Sequence, residues 1–367
     1  MKNIPLLDLK AQYQTIREEV RQAVDQVLDN GAYIMGPEVK AFEADVAAYI
    51  GVKHAIGVAN GTDALLLALD AAGIGEGDEV ITTPFTFFAT AEVISQVGAT
   101  PVFVDIDEKT YNIDVAQIRT KINEKTKAII PVHIFGQPAN MDEIMTLANE
   151  HQLFVLEDAA QAMGSEYKGR KIGSLGHAAT YSFFPTKNLG GYGDGGMIVT
   201  NDDELAQRIR ILRVHGSSPK YYHSMIGYNS RLDELQATML RIKLRFLDQW
   251  NDARRDKATF YNEALANTSL ITPFADDDRK HIYHLYILQA ENRDEMMHYL
   301  KEKGIASGVY YPVPLHQQNV YLPLGYQEGS LPVSEYMSKR TFAIPLYAEL
   351  DQDAMNYIVE TIQAFYK

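Results

Sequence analysis

Apolar residues recur at two different spacings along the chain, and each spacing predicts a different element. Steps of three and four residues predict an amphipathic helix over residues 9–28, which stops at Asn30 and Gly31. Short apolar runs bounded by turn residues predict strands. Further helices are predicted at 38–50, 64–72, 89–97, 115–122 and 141–151. Strands are predicted at 55–59, 78–82, 101–105, 128–132 and 154–157.

This alternation of strands and helices predicts parallel βαβ units, and hence an α/β sheet covered by helices on both faces. In such sheets ligands gather at the carboxyl ends of the strands. Polar residues that follow a predicted strand are therefore the first candidates for chemistry.

The pattern changes after Glu204. A long charged helical run is predicted from Arg231 to about Ala258, and it resembles a bridge between two domains. The elements predicted beyond it are strands at 281–289 and 307–311 and helices at 293–303 and 351–365. We therefore predict a large domain at residues 1–245, including the N-terminal helix, and a smaller α+β domain at 246–367.

Composition narrows the classes of function. The 367 residues are 46% hydrophobic and 22% charged, with a net charge of −14, which argues against general affinity for nucleic acid or anionic membranes. The chain has no cysteine, so disulfides and Cys-ligated metals are excluded, and no metal site is predicted. No apolar signal region or 18-residue apolar window is found, and we expect a soluble cytoplasmic protein.

The segment 178–200 contains the most distinctive chemistry. Two apolar runs flank Lys187 and a turn with five glycines, which allow the backbone to approach a ligand closely. In such apolar surroundings a lysine loses its proton more easily, and the neutral amine is the form that makes a Schiff base. The alternative is a hairpin with an exposed lysine at its turn.

Polar groups follow other predicted strands. Gly61 and Thr62 open a helix, where free N–H groups and a hydroxyl suit a phosphate, although an ordinary helix cap is the alternative. Asp158 ends a predicted buried strand, where it would pair with a cationic ring nitrogen or merely cap a helix. Phe87 would stack on a flat ring or belong to the core, and Ser182 offers a further hydroxyl to a phosphate. Together these groups are what pyridoxal 5'-phosphate requires.

The chain resembles the DegT-type sugar aminotransferases, which are pyridoxal-phosphate enzymes of the aspartate aminotransferase fold. This resemblance implies a large domain with a mostly parallel, helix-covered sheet of seven strands and a smaller C-terminal α+β domain. The matching segments follow the family order over nearly the whole chain: 36–39, 59–65, 83–87, 135–137, 157–161, 182–196, 227–233 and 311–316.

The resemblance also implies roles for individual residues. Lys187 forms the Schiff base and then moves the proton, while the cofactor alternates between its pyridoxal and pyridoxamine 5'-phosphate forms. Asp158 pairs with the pyridine nitrogen, and Gln161 lies near the phenolic oxygen of the ring. Asn229 reaches the phosphate from a neighbouring subunit, so a homodimer with shared sites is expected. The remaining implied cofactor contacts are Gly61, Thr62 and Ser182 to the phosphate and Phe87 to the ring.

The implied reaction moves an amino group from L-glutamate to a keto group of a nucleotide-linked hexose. Family members that act at the 4-keto carbon often carry a histidine two residues after the serine, where this chain has Phe184. We therefore favour a 3-keto sugar, with a 4-keto sugar as the alternative.

Three residues are candidates for the sugar pocket. Tyr33 and His316 lie in family-typical loops, and Arg231 would bind the diphosphate or a carboxylate, or only stabilise a subunit contact.

Two other functions compete with the aminotransferase. The first is a sugar dehydratase, but dehydratases on this fold have a histidine in place of Lys187. The second is a non-enzymatic regulator, which loss of Lys187, Asp158 or the Gly61-Thr62 pair would favour. All of these residues are present.

Overall fold

The computed structural model of the chain describes residues 3–366. Its helices are α1 (Leu9–Asn30), α2 (Pro37–Ile50), α3 (Gly61–Ala71), α4 (Ala89–Gln96), α5 (Val115–Lys121), α6 (Met141–His151), α7 (Asp203–Leu212), α8 (Glu234–Leu244), α9 (Leu247–Leu265), α10 (Arg293–Glu302), α11 (Pro332–Arg340) and α12 (Gln352–Phe365). Its strands are β1 (His54–Val58), β2 (Glu79–Thr82), β3 (Thr100–Phe103), β4 (Thr126–Ile130), β5 (Phe154–Asp158), β6 (Glu166–Tyr167), β7 (Arg170–Lys171), β8 (Ala178–Ser182), β9 (Gly196–Thr200), β10 (Arg279–Lys280), β11 (Tyr286–Gln289) and β12 (Thr341–Ile344).

A seven-stranded sheet forms the centre of the larger part of the molecule, in the order β1-β9-β8-β5-β4-β2-β3. Strand β9 pairs antiparallel with both of its neighbours, and the other pairs are parallel. Six strands therefore run in one direction, and their carboxyl ends share one edge of the sheet. The predicted α/β class and the mostly parallel sheet of seven strands are confirmed.

Neighbouring residues of each central strand face opposite sides of the sheet and enter two different cores. Ala55 and Ile81 join the core formed with α2, α6 and α8. Ile56 and Val80 join the core formed with α3, α4 and α7. Apolar residues on both faces of the strands explain why these segments are nearly continuous apolar runs in the sequence.

A separate apolar core lies in the C-terminal part, among α9, α10, α12 and the antiparallel pair β11–β12. Ile4 belongs to this core, because its backbone bonds to Gly304 and Ala306 at 2.8 and 2.9 Å. The first described residues thus pack against the C-terminal part of the chain. The predicted domain division between residues 245 and 246 stays a prediction.

The long helical run predicted from Arg231 to Ala258 is wrong, because the chain forms two helices there. The amides of Arg245 and Phe246 bond to carbonyls three residues back, Ile242 and Lys243, which interrupts the α-helical ladder between α8 and α9. The apolar spacing continues across this tight turn, so it does not reveal the break.

Two predicted strands are also corrected. In the segment 281–289 only Tyr286–Gln289 is a strand, because the amides of Ile282 and His284 bond to the carbonyls of Gly136 and Phe135 instead. In the segment 307–311 only Gly308 pairs, with Ala343. Short apolar runs predict burial here more reliably than strand pairing.

Candidate active site

A cavity of about 920 Å³ lies at the edge of the sheet where the parallel strands end. Its wall combines the segments that follow β1, β2, β5 and β8 with parts of the C-terminal core. Seven residues predicted to contact a cofactor are brought together in this wall: Gly61, Thr62, Phe87, Asp158, Gln161, Ser182 and Lys187.

One end of the cavity is formed by the start of α3. Asn60 caps the helix by accepting a hydrogen bond from the amide of Asp63 at 2.8 Å. The amides of Gly61 and Thr62 precede that bond and remain available to an anion at the positive end of the helix dipole. A Cβ atom on Gly61 would lie 2.7 Å from Cβ of Ser182, so only glycine lets the helix approach that serine. The start of α3 and Ser182 thus form a cradle that fits a phosphate group.

Asp158 lies at the carboxyl end of β5 and is 5% exposed. One carboxylate oxygen accepts a hydrogen bond from Thr90 at 2.8 Å, and the other accepts one from the amide of Ala160 at 3.2 Å. Burial raises the pKa of Asp158 despite these bonds and the nearby Lys187 and His133. A cationic partner in the cavity would restore the preference for the charged carboxylate.

Lys187 lies in the loop between β8 and β9 and lines the same cavity. Burial lowers its pKa to about 8, although Asp158 acts in the opposite direction. A substantial fraction of the amine is therefore neutral near physiological pH and ready to attack a carbonyl. The alternative of an exposed hairpin lysine is excluded, even though β8 and β9 do form an antiparallel pair.

Gln161 and Tyr311 form a polar side of the cavity. The Gln161 carbonyl oxygen accepts from the amide of Phe135 at 2.8 Å, and its Nε2 donates to the Tyr311 hydroxyl at 2.9 Å. The side-chain amide is thereby fixed in one orientation. It holds a tyrosine hydroxyl at the cavity, where burial raises the pKa of Tyr311.

Phe87 is 61% exposed although it lies among buried neighbours such as Phe85. Its ring is part of the cavity wall and not of a core cluster. The core alternative for Phe87 is therefore excluded, and the ring is free to stack on a flat ligand.

The structure does not place the other four predicted residues in the cavity wall. Tyr33 is exposed, and its hydroxyl donates to the Leu28 carbonyl at 3.2 Å. Asn229 is exposed and pairs with Val214, while Arg231 is half-buried. His316 is fully buried, with Nε2 3.0 Å from a carboxylate oxygen of Glu335, and its role in a sugar pocket stays a prediction.

Sequence reasoning missed several residues of the wall. Thr90 follows Thr86 by four residues, and their hydroxyls lie 3.2 Å apart. This i, i+4 spacing was the only available signal for Thr90. Arg254 and His284 come from the C-terminal part, where nothing in the sequence points toward the cavity.

Comparison with known proteins agrees with this geometry. The sequence profile of the DegT/DnrJ/EryC1/StrS aminotransferase family matches residues 14–363. The chain belongs to this family. Family membership confirms the predicted resemblance, the aminotransferase class and pyridoxal phosphate as the cofactor.

Individual relatives cover essentially the whole chain. A pleiotropic regulatory protein of Geobacillus stearothermophilus is 54% identical over 100% of this chain and 99% of its own length. A UDP-N-acetyl-3-dehydro-α-D-glucosamine 3-aminotransferase of Acidithiobacillus ferrooxidans is 45% identical over 98% and 97% of the two chains. The crystal structure of DesV of Streptomyces venezuelae, in complex with a ketimine intermediate, superposes with a TM-score of 0.98 at 42% identity, over 100% of this chain and 99% of DesV.

Proposed function

We propose that this protein moves the amino group of L-glutamate to the 3-keto group of a nucleotide-linked hexose, for the synthesis of amino sugars in surface polysaccharides. The observation that carries the proposal is the presence of both Lys187 and Asp158 in the wall of one cavity. Burial lowers the pKa of the lysine to about 8 and raises the pKa of the aspartate. Opposite shifts of this kind are typical of reactive sites.

Pyridoxal phosphate, when bound, supplies a ring that accepts electrons from the carbon that loses a proton. The residues of this chain hold that ring and move protons. The start of α3 and Ser182 would receive the phosphate, Phe87 would cover the ring, and Asp158 would keep the pyridine nitrogen protonated; all of them line the cavity. Lys187 is the base that takes a proton from one carbon and returns it to another.

The choice of the 3-keto carbon rests on two observations. Phe184 is 50% exposed in the cavity wall, at the position where family members acting at the 4-keto carbon often carry a histidine. Several relatives over 40% identical are named as enzymes of 3-amino or 3-keto sugars. A 4-keto sugar remains the alternative substrate.

A homodimer is supported by an exposed apolar surface next to Asn229 and Arg231. Tyr221 and Ile226 are 79% and 93% exposed on the segment before Asn229. Ile34 is 58% exposed and pairs with Asp233, which brings Tyr33 to the same surface. Exposed apolar patches of this kind are typical of protein interfaces. A second subunit seated here would carry Asn229 toward the phosphate of its neighbour, and it would also give Tyr33 and Arg231 a route to the sugar.

A regulatory role is the second candidate, because the relative with 54% identity is named as a regulatory protein. The intact cavity favours the enzyme. Among the described residues, no helix has the length and apolar character needed to cross a membrane. Location in the cytoplasm stays a prediction.

The test is a two-step reaction. Protein loaded with pyridoxal phosphate is treated with L-glutamate, freed of glutamate, and offered 3-keto and 4-keto nucleotide sugars separately. We expect 2-oxoglutarate in the first step and an amino sugar from the 3-keto compound in the second, both measured by mass spectrometry. An amino sugar only from 4-keto compounds would overturn the choice of carbon, and no 2-oxoglutarate would favour the regulator.

A further inference from the structure

His284 is buried in the cavity wall, being 8% exposed, and is tied to the segment that carries the reactive lysine. Its Nδ1 lies 3.0 Å from Oδ1 of Asn188, the residue after Lys187. Its backbone amide donates to the Phe135 carbonyl at 2.8 Å. His284 is thus held in place through both its backbone amide and its imidazole ring.

Two backbone carbonyls bonded to a chain of side-chain amides determine which nitrogen of His284 carries the proton. A carbonyl only accepts, so Nδ2 of Asn251 donates to the Met163 carbonyl at 3.1 Å. Oδ1 of Asn251 then accepts from Nδ2 of Asn188 at 2.7 Å. Nδ2 of Asn188 also donates to the Ile282 carbonyl at 3.4 Å, which fixes the same orientation. Oδ1 of Asn188 is left as an acceptor, and Nδ1 of His284 is therefore the protonated nitrogen.

The backbone around Asn251 is built for this chain of bonds. A Cβ atom on Gly164 would lie 2.5 Å from Nδ2 of Asn251, and the φ angle of Gly164 is +98°. Both facts require glycine at this position for Asn251 to reach the Met163 carbonyl. The side-chain amides are therefore held in place by the local fold.

The second nitrogen of His284 faces a different environment. Burial, together with the nearby cations Lys187 and Arg254, lowers the pKa of His284 well below its ordinary value. The ring is therefore neutral, and its unprotonated Nε2 is a hydrogen-bond acceptor. Within residues 3–366, no protein group forms a hydrogen bond with Nε2. The atom is not fully buried either, so it is open to the cavity that His284 lines.

We propose that His284 is a positioning residue for Lys187, with Nε2 accepting a hydrogen bond from the Lys187 amine whenever that amine is free of the cofactor. A neutral amine has two N–H bonds and one lone pair, so a fixed acceptor for one N–H restricts the direction of the lone pair. This inference rests on the proposed role of Lys187 as the proton-moving base. Apart from tyrosines, the other ionisable groups in the cavity wall are Asp63, Asp158, Asp194 and Arg254.

The test compares two variants that distinguish the role of Nδ1 of His284 from that of Nε2. His284→Asn keeps an amide near the Nδ1 position, where it still bonds Asn188, but removes the acceptor at Nε2. His284→Gln places an amide oxygen near the Nε2 position. The matched control is His281→Asn, because His281 is a buried histidine three residues earlier that does not line the cavity.

The first readout is the pKa of the Lys187 amine in cofactor-free protein, measured by competitive acylation and peptide mass spectrometry across pH. An acceptor stabilises the ammonium form, so its loss lowers the pKa. We expect His284→Asn to lower the pKa of Lys187 by roughly one unit, the size expected from a hydrogen bond to a charged group. His284→Gln and His281→Asn are expected to leave it near the wild-type value.

The second readout is steady-state kinetics of the loaded enzyme. A misplaced base slows proton transfer, so we expect kcat of His284→Asn to fall roughly 10- to 100-fold, with smaller changes in KM. His284→Gln should recover most of the loss. Thermal unfolding of each variant establishes that it is folded.

An unchanged pKa of Lys187 in folded His284→Asn would overturn the inference. Equal kcat losses in the folded Asn and Gln variants would also overturn it. These results are distinct from a failure of the proposed function, in which wild-type protein would not react with glutamate at all, whereas the acylation experiment needs no reaction.

Discussion

Two lysines show at the residue scale that burial alone does not make a reactive amine. Burial lowers the pKa of both Lys187 and Lys243 to about 8. Lys243 donates to the Gly190 carbonyl at 2.6 Å, beneath the glycine-rich loop, and does not line the cavity. Lys187 lines the same cavity as the cradle for a phosphate. Access to a ligand therefore distinguishes Lys187, the proposed catalytic lysine, from Lys243.

The lowered pKa of Lys187 predicts how cofactor binding depends on pH. Only the neutral amine attacks an aldehyde, and in the folded protein this form becomes dominant above about pH 8. The rate of covalent attachment of pyridoxal phosphate to cofactor-free protein should therefore rise about tenfold per pH unit below pH 8 and level off above it. Stopped-flow absorbance measures this rate. A rate that keeps rising up to pH 10 would show an ordinary, unshifted lysine.

The cradle at the start of α3 predicts the effect of adding one methyl group. Gly61→Ala places a Cβ atom 2.7 Å from that of Ser182, so helix and serine must move apart. We expect the Kd for pyridoxal phosphate to rise about tenfold, which corresponds to a typical overpacking cost. Equilibrium titration measures the Kd.

Gly75→Ala is the control for Gly61→Ala. A Cβ atom on Gly75 would meet its nearest neighbour, the Val97 carbonyl, at an ordinary 3.5 Å. Equal affinities in the two variants would mean that the close approach of Gly61 to Ser182 does not shape the cofactor site.

At the scale of elements, two helices begin on carboxylates supplied by distant parts of the chain. Glu234 of α8 is buried and accepts from the amides of Glu38 and Val39 at the start of α2, at 2.9 and 3.1 Å. Asp105 accepts from the amides of Val333 and Ser334 at the start of α11, both at 2.8 Å. Negative charge at these helix starts satisfies amides that have no partner within the helix.

Removing the carboxylate of Glu234 is predicted to destabilise the fold. Glu234→Ala leaves the part-buried amide of Glu38 and the buried amide of Val39 without this partner, so we expect the free energy of unfolding to fall by about 1–3 kcal/mol, measured by urea denaturation. Asp233→Ala is the matched control, because Asp233 is exposed and its side chain makes no capping hydrogen bond. Equal losses in both variants would exclude a capping role for Glu234.

The elements predicted best from the sequence are those whose apolar pattern is set by the central sheet. Residues 55–59 and 154–157 predict β1 and β5 within one residue at each end, because both faces of these strands are buried. Segment 281–285 was predicted as strand but bonds to the loop after β4, a contact across more than 140 residues. Patterns along the chain do not report such partners. Lys187 and Asp158 are found from the sequence because each directly follows an apolar run. Arg254 and His284 are missed because the segments they meet at the cavity are distant along the chain.

The whole molecule is predicted to work as a dimer with shared sites. Each site would combine Lys187 of one subunit with Asn229 of the partner. Mixing the variants Lys187→Ala and Asn229→Ala, each impaired alone, would then create mixed dimers with one complete site. We expect about a quarter of wild-type activity after subunit exchange, since half of the dimers are mixed. No recovery would indicate sites contained within single chains.

We propose that Lys187 is the residue that holds the cofactor. The most direct measurement is borohydride reduction of protein loaded with pyridoxal phosphate, followed by peptide mass spectrometry. We expect the reduced label on Lys187, and we expect treatment with L-glutamate before reduction to remove it. A label on Lys243 or on surface lysines, or a label on Lys187 that glutamate does not remove, would contradict it.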